Sequence, residues 1–154
     1  MATHTIALEP YPINAPAETV WTVLTDLKHY PDWNPFTPRI ESSLEIGEPV
    51  TLHVKRGDSL SKMSFALEVF DPPHEIAWRL PKILHKAIFS AYRTQKVVPV
   101  DAESCTYQTS DTFDGWLART LYNKQNEWVL KNFNRLAAAL KERSEAQFAD
   151  ERRP

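Results

Sequence analysis

Arg93 and Asp111, each set in an alternating and mostly apolar run, are the two residues where chemistry would begin. Ala87, Phe89, Ala91, Arg93, Gln95 and Val97 share one parity, and equal parity in an extended strand means one face. Tyr107, Thr109, Asp111 and Phe113 do the same further on. If Phe113 packs inward, Asp111 turns inward with it and can meet Arg93 across the sheet. A buried carboxylate and guanidinium need each other, because an unpaired buried charge is costly. Such a pair has two uses. It can be purely structural, or it can recognise a ligand. In the second case Arg93 would hold a carboxylate or enolate oxygen, and Asp111 would act as general acid or base once burial raises its pKa. A register one residue off would place both on the outer face and end either use.

Further polar residues fall on faces that are otherwise apolar. Ala118, Leu121, Tyr122, Val129, Phe133, Leu136 and Leu140 recur at helical spacing, with Gln125 and Asn132 near the centre of their stripe. These two amides either satisfy strand backbone groups and buried water, or line a wet cavity and orient a ligand. Tyr107 and Tyr122 can donate to a ligand carbonyl or serve the backbone; Tyr107 joins Arg93 and Asp111 as the candidate catalytic set. Trp78, Gln95, Thr109, Leu121 and Val129 complete the candidate wall on the same inward faces. Most of the aromatic residues, Trp128 included, read as core.

Other chemistries find little support. His4, His29, His53, His74 and His85 are scattered without metal-ligand spacing, so no metal site is expected. Cys105 is the one cysteine; it excludes an internal disulfide and reads as a buried inert thiol. Lys55, Lys62, Lys86 and Lys96 take outward parity and Lys124 lies off the centre of the helical stripe, which disfavours imine chemistry. No glycine motif for a nucleotide is present, and no cofactor is expected. With 18 basic against 20 acidic residues, the chain has no basic footprint for nucleic acid. Residues 1–10 lack the pattern of a signal peptide and no run approaches the ~20 apolar residues of a membrane span, so a cytoplasmic protein without membrane insertion is expected.

The elements that must position these residues follow from periodicity. Ile6, Leu8, Tyr11 and Ile13 alternate as a first strand. Pro16 opens a short helix carrying Val20, Trp21, Val23, Leu24 and Leu27, and Tyr30-Pro31 is expected to interrupt it before a second short helix around Asp32 and Trp33. From Ile40 to Phe113 period two takes over, with about six strands separated by turns at Gly47-Glu48-Pro49, Gly57-Asp58-Ser59, Asp71-Pro72-Pro73 and Val100-Asp101-Ala102. Connections this short imply antiparallel hairpins. After Gly115 comes one long helix, about Trp116 to Arg143, followed by a charged tail over 144–154 expected to fray. The whole reads as an α+β domain over residues 1–143, whose antiparallel sheet of about seven strands is covered by the long helix, with two short helices between strands 1 and 2.

That order resembles the START-like superfamily, also called SRPBCC or Bet v 1-like, with its helix-grip fold. The residues carrying the resemblance are Ile13-Asn14-Ala15-Pro16-Ala17-Glu18-Thr19-Val20-Trp21, the corner Asp26 to Phe36 with its Tyr30-Pro31-Asp32-Trp33-Asn34-Pro35 run, and Phe113-Asp114-Gly115. The corner is similar to the polyketide cyclase/dehydrase-like branch. One departure is Asp101-Ala102-Glu103-Ser104, where the family often has a glycine-rich turn. The resemblance implies an internal cavity and places Trp33 and Phe36 beside it; Asn34 there either starts the Asn-Pro turn or joins the wall. It also implies a small hydrophobic ligand, polyketide-like or aromatic, and a cofactor-independent cyclase, dehydratase or isomerase. A non-catalytic carrier or sensor is the alternative, a partner-binding module is a third class, and the state is monomer or homodimer. Fold alone does not choose among these.

Overall fold

Residues 3–80 and 88–154 are described by the computed structural model. Strands β1 (His4–Ala7) and β2 (Tyr11–Ile13) precede helix α1 (Ala17–Thr25), a 3₁₀ turn at Leu27–His29 and helix α2 (Tyr30–Trp33). Strands β3 (Arg39–Ser42), β4 (Pro49–Arg56), β5 (Ser59–Asp71), β6 (Glu75–Arg79), β7 (Ser90–Asp101) and β8 (Ser104–Asp114) follow, and helix α3 (Ala118–Glu151) ends the fold. The sheet order is β1-β8-β7-β6-β5-β4-β3, antiparallel throughout, with β2 also paired to β8. β1 and β2 are one strand broken at Glu9-Pro10: the ladder continues through Leu8 N–H to Thr109 O at 2.9 Å. Counting the halves separately gives eight strands; counting them together gives the expected seven.

Three departures from the sequence reading have simple causes. The first helix ends at Asp26, whose ψ of 73° leaves the helical region, and not at Tyr30. Tyr30 is itself helical (φ −54°, ψ −37°), and Pro31 sits in the first turn of α2, where a missing N–H has no cost. In β5 the alternation of Met63, Phe65, Leu67 and Val69 would turn Phe70 outward, but the register shifts between Leu67 and Val69, so Phe70 pairs with inward Ile76 and packs on Trp21 (ring centroids 5.7 Å).

The third departure concerns α3. It starts at Ala118, leaving Trp116 74% exposed, and runs to Glu151 through the segment expected to fray. Its inward stripe simply continues: Leu140 and Ser144 are buried and Phe148 packs on the core. Thr19 Oγ1 donates to Glu151 Oε2 at 3.3 Å, tying the last turn to α1.

The turn into α3 depends on one glycine. Gly115 has φ +102°, and a Cβ there would lie 2.7 Å from the Ile88 carbonyl carbon and oxygen, both backbone atoms that cannot swing aside. The core under α3 joins Ile13, Val20, Leu24, Leu67, Tyr107 and Phe133 from sheet and helices. The alternating run that opens at Ala87 is seen as strand β7 from Ser90; His85, Lys86 and Ala87 lie outside the described residues.

Candidate functional site

Between the sheet and the first half of α3 lies a cavity of about 280 Å³. Its walls follow from strand parity and helix spacing. Leu52 and Val54 reach it from β4, Phe65 from β5, Trp78 from β6, Arg93 from β7, Asp111 and Phe113 from β8, and Leu121, Gln125, Trp128 and Val129 from α3. Phe36, just after α2, closes one side.

Arg93 and Asp111 face each other in register on β7 and β8, and both line the cavity, so the inward facing inferred from parity holds. Arg93 Nε lies 3.9 Å from Asp111 Oδ1, close enough for an ion pair but too long for a hydrogen bond. That nitrogen donates instead to Thr109 Oγ1 at 2.9 Å, which in turn donates to Thr94 O at 3.0 Å. The guanidinium is enclosed by three rings, its carbon 4.5 Å from the centroid of Phe133, 5.8 Å from Phe36 and 5.9 Å from Trp78. The side chain is only 8% exposed, and its positive charge lies close enough to the buried Tyr107 hydroxyl to pull that group's pKa down against the effect of burial.

Burial sets the ionisation of Asp111. Loss of water raises its carboxyl from 3.8 to about 6, and the nearby Arg93 charge only partly opposes this. One-fifth of the side-chain surface remains accessible on the cavity wall. A carboxyl of this kind can hold or release a proton near neutrality, and the guanidinium beside it can donate to a developing oxyanion.

The remaining candidates divide. Phe36, Trp78, Leu121, Gln125 and Val129 line the cavity with Arg93 and Asp111. Seven others do not reach it. Tyr107 is buried and donates to Gln95 Oε1 at 2.5 Å, so each satisfies the other, and burial pushes the phenol pKa up, which keeps it a donor. Thr109 is consumed by Arg93. Asn132 Nδ2 donates back to Trp128 O at 2.7 Å within its own helix. Asn34 Oδ1 accepts from the Phe36 and Thr37 amides, the turn reading of that residue. Trp33 packs edge-on to Tyr30 (5.0 Å), and Tyr122 against His4 (5.4 Å). The catalytic set thus loses Tyr107 as a group that could touch a ligand, because its hydroxyl is spent inside the core.

Of the lining residues that were not candidates, Trp128 and Arg56 bear most on a ligand. Trp128 read as core, yet it stands a helical turn from Gln125 on the cavity side. Arg56 carries the inward parity of Val50, Leu52 and Val54 out to the end of β4, a signal present in the sequence. Cys105 is buried, and loss of water first, then Glu18, pushes its thiol up to about 11. Among the described residues no cluster of three or more His, Cys, Asp or Glu could hold a metal ion, and no helix is long and apolar enough to cross a membrane.

A curved antiparallel sheet gripping one long helix over an internal cavity defines a START-like helix-grip protein. Residues 8–145 match the family described as polyketide cyclase / dehydrase and lipid transport, and the chain belongs to that family. No curated protein matches the sequence significantly. Among solved structures, the Zhui aromatase/cyclase from Streptomyces sp. R1128 superposes with a TM-score of 0.73 at 21% identity, covering 94% of each chain. Truncated norcoclaurine synthase from Thalictrum flavum gives 0.67 at 17% identity over 92% of each chain. A START superfamily protein from Mycobacterium smegmatis gives 0.66 at 18%, over 94% of this chain and 99% of that one. At such identities the likeness is one of fold.

Proposed function

We propose that this chain binds a small, mostly apolar carbonyl compound, aromatic or polyketide-like, and catalyses its cofactor-independent cyclisation, dehydration or isomerisation. The observation that carries this reading is the Arg93–Asp111 pair, set on an otherwise apolar wall with the carboxyl raised to about 6. As carboxylate, Asp111 takes a proton from the carbon next to the carbonyl. The C–H electron pair moves into the enolate, whose oxygen accepts hydrogen bonds from the terminal Arg93 nitrogens as charge builds. The enolate carbon then attacks a second carbonyl of the same folded molecule, whose oxygen takes the proton back from Asp111. Where the first carbonyl is conjugated to a C=C bond, Asp111 instead returns the proton to the γ-carbon of the dienolate, which shifts the double bond. In a dehydration, the Asp111 proton goes to a departing hydroxyl, which leaves as water. The apolar walls contribute by holding a flexible ligand in the folded conformer.

A second reading is carriage of a hydrophobic ligand, favoured by the preponderance of apolar lining and by a family that includes lipid transport. Native mass spectrometry before and after denaturation would show a co-purified ligand. Deuterium exchange at the α-carbon of 2-tetralone and related aryl ketones then separates the readings. Enzyme-accelerated exchange that is lost in Asp111→Asn while binding persists supports catalysis. Binding without exchange, unchanged in Asp111→Asn and Arg93→Gln, supports carriage and sinks the catalytic reading.

A further inference from the structure

The cavity holds a second guanidinium, and its setting bears on what kind of ligand enters. Arg56 closes β4 with its carbon 4.2 Å from the centroid of the Trp128 ring. Trp128 packs edge-on to Phe36 at 5.5 Å, Phe36 to Phe133 at 6.1 Å, and Arg93 caps Phe133 at 4.5 Å. An aromatic track therefore runs from the exposed Arg56 to the buried Arg93, with a cation at each end.

The two ends differ electrostatically. Arg93 has Asp111 beside it, whereas among the described residues no carboxylate lies within 4.0 Å of Arg56, not even Asp58 in the adjoining turn. Among the described residues lining the cavity Asp111 is the one acidic group, against two arginines, in a chain whose overall charge is −2. The local positive excess thus runs against the charge of the molecule. A guanidinium stacked on a ring loses rotational freedom but keeps its in-plane N–H fork, and that fork matches a carboxylate, sulfonate or phosphate edge.

We infer that Arg56 is a specificity-determining residue at the rim, and that the ligand is an acid: an apolar or aromatic body with a terminal anionic group. This rests on the proposed cavity function and narrows its substrate class. The anion sits at Arg56, the body lies along Trp128 and Phe36, and the carbonyl to be enolised reaches Arg93 and Asp111. Arg56 makes no contact with the reacting atoms, so its role is recognition.

The test uses two probes of nearly equal shape, 2-naphthoate and the uncharged 2-naphthamide, titrated against wild type, Arg56→Gln and Arg56→Lys by tryptophan fluorescence and calorimetry. Wild type is expected to prefer the naphthoate by about tenfold or more, the scale of one charge-assisted hydrogen bond. Arg56→Gln should bring that preference close to parity while leaving naphthamide affinity within about twofold, which also shows the variant folded; Arg56→Lys should keep part of the preference. Equal affinities in wild type, or a preference untouched by Arg56→Gln, would overturn the assignment while leaving the cavity reading in place. Failure of both probes to bind any form would overturn the cavity reading itself.

Discussion

Replacing Asp111 with asparagine should stabilise the folded chain at neutral pH and leave it unchanged in acid. The side chain sits inside the sheet, and among the described residues Arg93 is its one close cation, 3.9 Å away. Burial raises the carboxyl from 3.8 to about 6 despite that cation. Below about pH 4 it is protonated in both folded and unfolded chains, and its pKa difference contributes nothing to pH dependence. Between about 4 and 6 the unfolded chain gives up the proton while the folded chain keeps it, so stability falls as pH rises. Above about 6 the loss is complete. Each pH unit across the gap is worth about 1.4 kcal/mol, so wild type forfeits about 2 to 3 kcal/mol by pH 7. Asparagine mimics the neutral acid at every pH and avoids that loss. Urea unfolding of both proteins from about pH 4 to about pH 7.5 reads the difference directly, because other titrating groups cancel between them. A variant less stable than wild type at pH 7 would refute the reasoning: attraction to Arg93 would then outweigh desolvation. A difference that does not change with pH would show the carboxyl titrating at its ordinary value.

Other perturbations reach other parts of the argument. Gly115→Ala should cost at least about 2 kcal/mol, since it forces a side chain into positive φ and onto the Ile88 backbone; a loss below about 0.5 kcal/mol in urea unfolding would contradict the contact. Ser144→Ala should be neutral or stabilising by up to about 1 kcal/mol, because among the described residues its buried hydroxyl has no partner and alanine is the better helix former. Thermal unfolding checks this, and a marked loss of stability would mean that the hydroxyl is satisfied. Cys105, buried with its thiol pushed up to about 11, should be roughly one-thousandth thiolate at pH 8. It should therefore react with Ellman's reagent only as fast as the protein opens; a rapid stoichiometric reaction would place the thiol in a solvent-reached position.

How far the site was legible depended on which physical quantity decided each residue. Direction was readable: alternation along β7 and β8 is a local steric property, and it correctly turned Arg93 and Asp111 toward the helix. Partnership was not. Tyr107, Gln95 and Thr109 share the same inward faces, yet strand register sets Gln95 opposite Thr109 and places Tyr107 within reach of it, so their hydrogen bonds close inside the sheet. Asn132 stood near the centre of the helical stripe, and its amide turned to its own backbone. Arg56 shows the reverse case, since its parity was visible but an arginine at a strand end carries no local sign of a ring waiting beneath it.

By itself, then, the sequence determined the period-two strands, the proline-marked corner, the glycine before α3 and the inward stripe of that helix, because each depends on neighbours within a few positions along the chain. The tertiary structure alone decided the register shift at Leu67 and Val69, the persistence of α3 to Glu151, the division of inward polar groups between core and cavity, and the raised carboxyl of Asp111. Those depend on contacts between residues far apart in the chain, where a displacement of one ångström separates a satisfied core amide from a group that meets a ligand.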